Sequence, residues 1–195
     1  MPKPYTPNDK WSQKAQAEGY RARSVYKLME LDTKFHLLRA GMTVLDLGAA
    51  PGSWLQYAVK KIGSKGKAIG VDLQEIAPIE GATTFVGDIL DDTVIKKIIQ
   101  DSGLTKVDIV LSDLAPSTSG IRDVDQWKSV ELSEGVMHIA SDVLKPGGTC
   151  VIKVLRGADF DEFYKNLKTT WKECTTAIPE ATRDRSKEVY VILRK

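Results

Sequence analysis

Apolar positions along the chain fall into two alternating patterns. Short continuous runs recur as VLDL (44–47), GKAIGVD (66–72), TTFVGD (83–88), VDIVLSD (107–113), TCVIKVL (149–155), 172–178 and EVYVILR (188–194), and these read as strands. Between them apolar residues return at helical spacing, with Val94, Ile95, Ile98 and Ile99 on one face of 91–102. Further helices are predicted over 24–35, 124–144 and 159–170, and a short polar one from Asn8 or Asp9 to Glu18. Lys145-Pro146-Gly147-Gly148 is a stop signal for the long helix. Strands alternating with helices predict an α/β fold, a mostly parallel sheet with helices on both faces. The last two strands are joined only by a loop, so the sheet is expected to be mixed at that edge.

The stretch 43–59 (TVLDLGAAPGSWLQYAV) is the first strand-turn-helix unit of such a sheet. Ligands of doubly wound sheets sit against this turn, where glycine permits close approach. The dinucleotide fingerprint does not fit: Ala50 and Ser53 stand where glycines belong, and Pro51 removes a backbone donor. A nucleoside ligand without phosphates fits better; a purely structural turn is the alternative.

At 195 residues the chain suits one domain. Its net charge of +2 is uneven: residues 1–40 carry eight Lys/Arg against four Asp/Glu. The expected organisation is therefore a basic helical segment, 1–40, that would contact a polyanion, on a near-neutral body, 41–195. Cys150 and Cys174 show no metal or redox spacing and read as reduced structural residues. No run reaches transmembrane length and the N-terminus lacks signal-peptide features, so the expected location is cytoplasmic, without membrane association.

Asp46, Asp72, Asp88 and Asp113 all fall at or near the ends of expected parallel strands. Asp72 follows Gly52 by 20 residues, the spacing of a carboxylate that accepts from ribose hydroxyls, and Asp88 is placed to meet an adenine amine. Lys153 interrupts an apolar strand, where an amine must be paired or desolvated and is then able to act as a base. A lysine snorkelling from the strand end is the plainer reading. Glu188 and Lys27 are expected at the same sheet edge, and this mixture of cations and acids offers no metal site. His36 and His138 read as surface residues, and Trp54 and Trp127 as core.

These residues carry a resemblance. From about Arg21 to Arg194 the chain resembles the FtsJ/RrmJ (RlmE-type) ribosomal RNA 2′-O-methyltransferases, in RARSVYKL, VLDLGAAPGSW, GVDL, GDI, LSDLAPSTSG, LKPGG, VIKVLRG and RSKEVYVI. GSW stands where GGW is common. The resemblance implies a Rossmann-like, seven-stranded S-adenosylmethionine-dependent fold with the final strand inserted antiparallel. It implies a Lys-Asp-Lys-Glu tetrad on Lys27, Asp113, Lys153 and Glu188. It implies a cofactor pocket at Gly52, Trp54, Asp72, Asp88 and Asp113, beside Gly48 of the same turn. The implied reaction is methyl transfer to a ribose 2′-hydroxyl of a uridine in the A loop of large-subunit rRNA. Lys153 would act on the hydroxyl proton with Asp113, and Arg21, Arg23, Arg183 and Arg185 would contact phosphates. A tRNA or mRNA-cap ribose methyltransferase and a non-catalytic RNA-binding module are the rival readings; a monomer is expected.

Overall fold

A computed structural model of the chain describes residues 9–116, 119–183 and 186–195. Two helices, α1 (Lys10–Ala17) and α2 (Val25–Phe35), precede the sheet. Then follow β1 (Thr43–Leu47), α3 (Ser53–Ile62), β2 (Lys67–Asp72), β3 (Ala82–Val86), α4 (Asp92–Asp101) and β4 (Val107–Ser112). The chain ends with α5 (Arg122–Val143), β5 (Leu144–Leu155), α6 (Phe160–Thr170), β6 (Glu173–Ala177) and β7 (Glu188–Arg194).

The seven strands lie in the order β3-β2-β1-β4-β5-β7-β6. All neighbours are parallel except β7, which pairs antiparallel with both β5 and β6. The hairpin of β6 and β7 is therefore not simply appended at the edge: β7 inserts inside, and β6 takes the edge. Burial explains the choice, since the interior of β7 is buried throughout whereas β6 is mostly exposed. The order reverses between β1 and β4, and a crevice is expected outside the carboxyl ends of those two strands.

Strand alternation divides the core cleanly. Leu45, Leu47, Val110, Ile152 and Val154 face α4, α5 and α6. Val44, Ile109, Leu111, Val151 and Tyr190 face α2 and α3, and there meet Leu28, Leu31, Trp54 and Leu55. Lys153 follows Val151 by two residues and so points to the α2–α3 side. Leu28, Leu31, Leu37 and Leu38 share this second core, which binds the basic segment into the body of the domain.

Several boundaries differ from the sequence expectation for local reasons. The third strand ends at Val86, leaving Asp88 in a turn where its Oδ1 accepts from the Leu90 N–H at 2.9 Å. The fifth strand starts at Leu144, pairs with Val107, and bulges out Lys145–Gly148 before Thr149 meets Ile109. His36 closes α2 in the left-handed conformation and is exposed, as is His138. Trp127 is not core; it stands 55% exposed on α5. Cys150 is buried and Cys174 half-buried, both as free thiols, and burial pushes each above the usual thiol range.

Candidate active site

The crevice at the reversal point is a cleft of about 620 Å³ lined by Gly48, Asp72, Asp88, Asp113 and Leu114, among others. Gly48 (φ 78°) and Gly52 (φ 105°) both hold left-handed backbone. A Cβ on Gly48 would lie 2.2 Å from Leu114 Cδ2, so the turn needs glycine there for space as well as torsion. Asp72 fixes the same turn: its Oδ2 accepts from Ala50 N–H and its Oδ1 from Gln74 N–H, both at 2.9 Å. Each oxygen keeps a lone pair for a ligand.

Asp46, next to last in β1, is near the strand end but is not part of the cleft lining. It is 1% exposed within β1, and its Oδ2 has no hydrogen-bond partner among the described residues. Burial, then Asp113 and Asp72, push this carboxyl well above the usual range.

The four residues expected as a tetrad form two pairs. Lys153 at the end of β5 is 7% exposed; its Nζ lies 3.1 Å from Asp113 Oδ1 and donates to Asp113 O at 2.6 Å. Lys27 of α2 donates to Glu188 Oε2 at the start of β7, at 2.5 Å. Tyr190 joins the pairs, donating its hydroxyl to Asp113 Oδ1 at 2.5 Å with Lys27 Nζ 5.7 Å above its ring. A second cavity, of about 450 Å³, opens on the Lys27–Glu188 side and is also lined by Arg23, Arg183 and Ser186.

Other expected site residues are placed differently. The Trp54 indole is 3% exposed and lies in the core, its Nε1 donating to Ser24 O at 2.8 Å, which removes this side chain from the cleft wall. Only its backbone N–H, in the first turn of α3, can serve a ligand: the helix bonds begin with Gln56 N–H to Gly52 O. Gly52 itself packs under Ile79, Ile76 and Arg21.

The Arg21 guanidinium, expected on phosphate, donates instead to Pro51 O (3.0 Å), Ala77 O (2.7 Å) and Pro78 O (2.8 Å). Arg23 pairs with Asp9 and donates to Ala181 O at 2.5 Å, a clasp between α1 and the loop before β7. Both arginines are held by backbone carbonyls that sequence spacing does not announce. Arg183 is partly exposed near Asp9, and Arg185 lies outside the described residues.

Sequence reasoning missed Tyr190, whose ring reads as one more apolar position of a buried strand. Its alternation with Glu188, which puts both on the sheet face that Lys153 occupies, was the available signal.

A nucleoside-sized cleft at the reversal point of this seven-stranded sheet, with β7 inserted antiparallel, defines a Rossmann-like methyltransferase fold. The comparisons narrow the class: a model of the FtsJ-like methyltransferase family matches residues 20–195, and the chain belongs to that family. A protein of Acinetobacter baumannii named ribosomal RNA large subunit methyltransferase E is 46% identical over 95% of this chain and 86% of its own length. One of the same name from Methylobacillus flagellatus is 40% identical over 95% and 89%. Among solved structures, a ribosomal RNA methyltransferase from Plasmodium falciparum superimposes with a TM-score of 0.77 at 31% identity, covering 90% of this chain and 97% of that one.

Proposed function

We propose that this methyltransferase transfers the methyl group of S-adenosylmethionine to a ribose 2′-hydroxyl in RNA, with a uridine of the large-subunit rRNA A loop as substrate. The carrying observation is the buried Lys153, tied to Asp113, which lines the cleft. The cleft residues fit a nucleoside cofactor: carboxylates at or just beyond the ends of three strands for hydroxyls and amines, and glycines where the ligand approaches. When bound, that cofactor supplies an electrophilic methyl group.

The chain's own residues do the rest. Asp72 and Asp88 hold the nucleoside, while the first turn of α3 offers backbone N–H groups to a carboxylate. Asp113 orients the Lys153 amine, which takes the proton of the acceptor hydroxyl in its free-amine form. Lys27 and Glu188 hold each other and floor the cavity that receives the acceptor nucleotide, with Arg183 beside it for phosphate. Most of the acceleration is expected from positioning, which can be worth roughly 7–11 kcal/mol.

The relatives named for large-subunit rRNA favour that substrate over tRNA. The test is tritiated S-adenosylmethionine with unmethylated large ribosomal subunits, free rRNA and tRNA, followed by mapping of the label. Lys153→Ala should abolish transfer while cofactor affinity stays within about twofold. Wild-type turnover in that variant would remove Lys153 from the chemistry, and label confined to tRNA would move the substrate.

A further inference from the structure

Resting on the reading of Lys153 as the base, we infer that Tyr190 is a positioning residue that sets when Lys153 becomes a free amine, by sharing the Asp113 oxygen that holds it. Tyr190 and Lys153 are direct partners across the β5–β7 ladder. Tyr190 is fully buried, its hydroxyl lies 2.5 Å from Asp113 Oδ1, and the Lys153 amine lies 3.1 Å from the same atom. A hydrogen-bond donor and an ion-pair partner on one carboxylate oxygen divide its charge between them. The part neutralised by the phenol is withdrawn from the ammonium, which then gives up its proton at lower pH.

The phenol is a permanent donor. Burial first, then Asp113 and Glu188, push its ionisation well above the usual tyrosine range. The charged groups around the arrangement are Lys153 from β5, Glu188 from β7, Lys27 from α2 and Asp46 from β1. Lys27 is paired with Glu188, and burial, Asp113 and Asp72 raise the Asp46 carboxyl well above the usual range, which leaves Tyr190 as the neutral side chain donating to Asp113 Oδ1.

The test is the pH–rate profile of methyl transfer to unmethylated large ribosomal subunits at saturating cofactor. Tyr190→Phe keeps the ring and deletes only the donor. Its acidic limb is expected to move up by about one pH unit, the scale of one hydrogen bond to a charged group. The rate at any pH on that limb then falls about tenfold and returns at higher pH, with cofactor affinity unchanged. Replacing Tyr190 by 3-fluorotyrosine, a stronger donor of nearly the same volume, should move the limb down instead.

A merely structural tyrosine would lower the rate at every pH or lower the Tm and leave the limb in place, and that result overturns the inference. Should Tyr190→Phe fail to fold, the fluorotyrosine enzyme decides alone by the direction of its shift. Lys153→Ala is measured alongside. If it is inactive while both Tyr190 variants keep the wild-type limb, Tyr190 has no such role and Lys153 remains the base. If it is fully active, the reading of Lys153 fails first.

Discussion

Arg21 offers the sharpest contrast between what charge suggests and what geometry shows. Its guanidinium bonds three carbonyls, Pro51 O in the glycine turn and Ala77 O and Pro78 O in the loop after β2. Its Nη1 lies 3.0 Å from where a Gly52 Cβ would be. The site is partly open to water, so each bond contributes about 0.5–1 kcal/mol rather than the full value of a buried charged pair, or ~2 kcal/mol together. Arg21→Ala should lower the Tm by about 4–8 °C in a domain of this size. Where the bound state needs the turn in place, S-adenosylmethionine affinity should fall by up to about 30-fold. Arg21→Lys distinguishes the roles, because an ammonium keeps the charge but cannot fork across three carbonyls. A clasp predicts that lysine fails nearly as badly as alanine in differential scanning and titration calorimetry, while the salt slope of RNA binding stays at its wild-type value. A phosphate contact predicts the reverse: lysine rescues, and alanine lowers the slope by about one. Wild-type Tm and cofactor affinity in Arg21→Ala would refute the clasp.

Two further perturbations follow from the cleft. Gly48→Ala places a methyl 2.2 Å from Leu114 Cδ2 at φ 78°; it should weaken cofactor binding at least tenfold by calorimetry, and adding Leu114→Ala should restore only part, because the torsional cost of ~1 kcal/mol persists. Unchanged affinity in Gly48→Ala would show that the turn tolerates a side chain. Asp46 binds a proton more tightly folded than unfolded, since burial, Asp113 and Asp72 raise it. Its folded state therefore loses stability as pH rises from the unfolded carboxylate range to the raised folded value. Asp46→Asn removes that loss, so the stability difference between variant and wild type should grow with pH by at most about 1.4 kcal/mol per unit, then level off. Urea melts of the cofactor-free protein across pH 4–9 check the sign, and a difference that shrinks with rising pH would mean Asp46 is ionised and paired.

The sheet was legible because its strands are buried on both faces and leave continuous apolar runs, while helices leave a 3.6-residue period. The strand-end carboxylates Asp72, Asp88 and Asp113 were legible for a related reason: strand order fixes which ends share an edge. The exceptions are informative. Arg21 and Arg23 look like RNA contacts in sequence because a carbonyl acceptor is present at every residue and marks nothing. Trp54 and Trp127 have the same composition signal and opposite exposures, 3% and 55%, decided by which face of α3 or α5 each occupies. Asp46 is near that edge, next to last in β1, yet it is buried and is not part of the cleft lining.

The tetrad depends on something finer than topology, the register of β7. Lys27 and Glu188 are 161 residues apart and meet only because β7 runs antiparallel to β5 with Glu188 opposite Leu155 and Tyr190 opposite Lys153. A slip of one residue would turn Glu188 and Tyr190 to the α4–α6 face and bring Val189 toward Lys27, since strand faces alternate. The slip is opposed by Val189, Val191 and Leu193, which fill the core beneath α5 and α6, and by Tyr190 and Ile192, which fill the core beneath α2 and α3. Both faces of β7 are thus committed to apolar neighbours, and the packing that excludes a slipped strand also holds a carboxylate and a phenol at their distances from the two lysines. Precision in the polar cluster is inherited from the hydrophobic core on either side of one inserted strand.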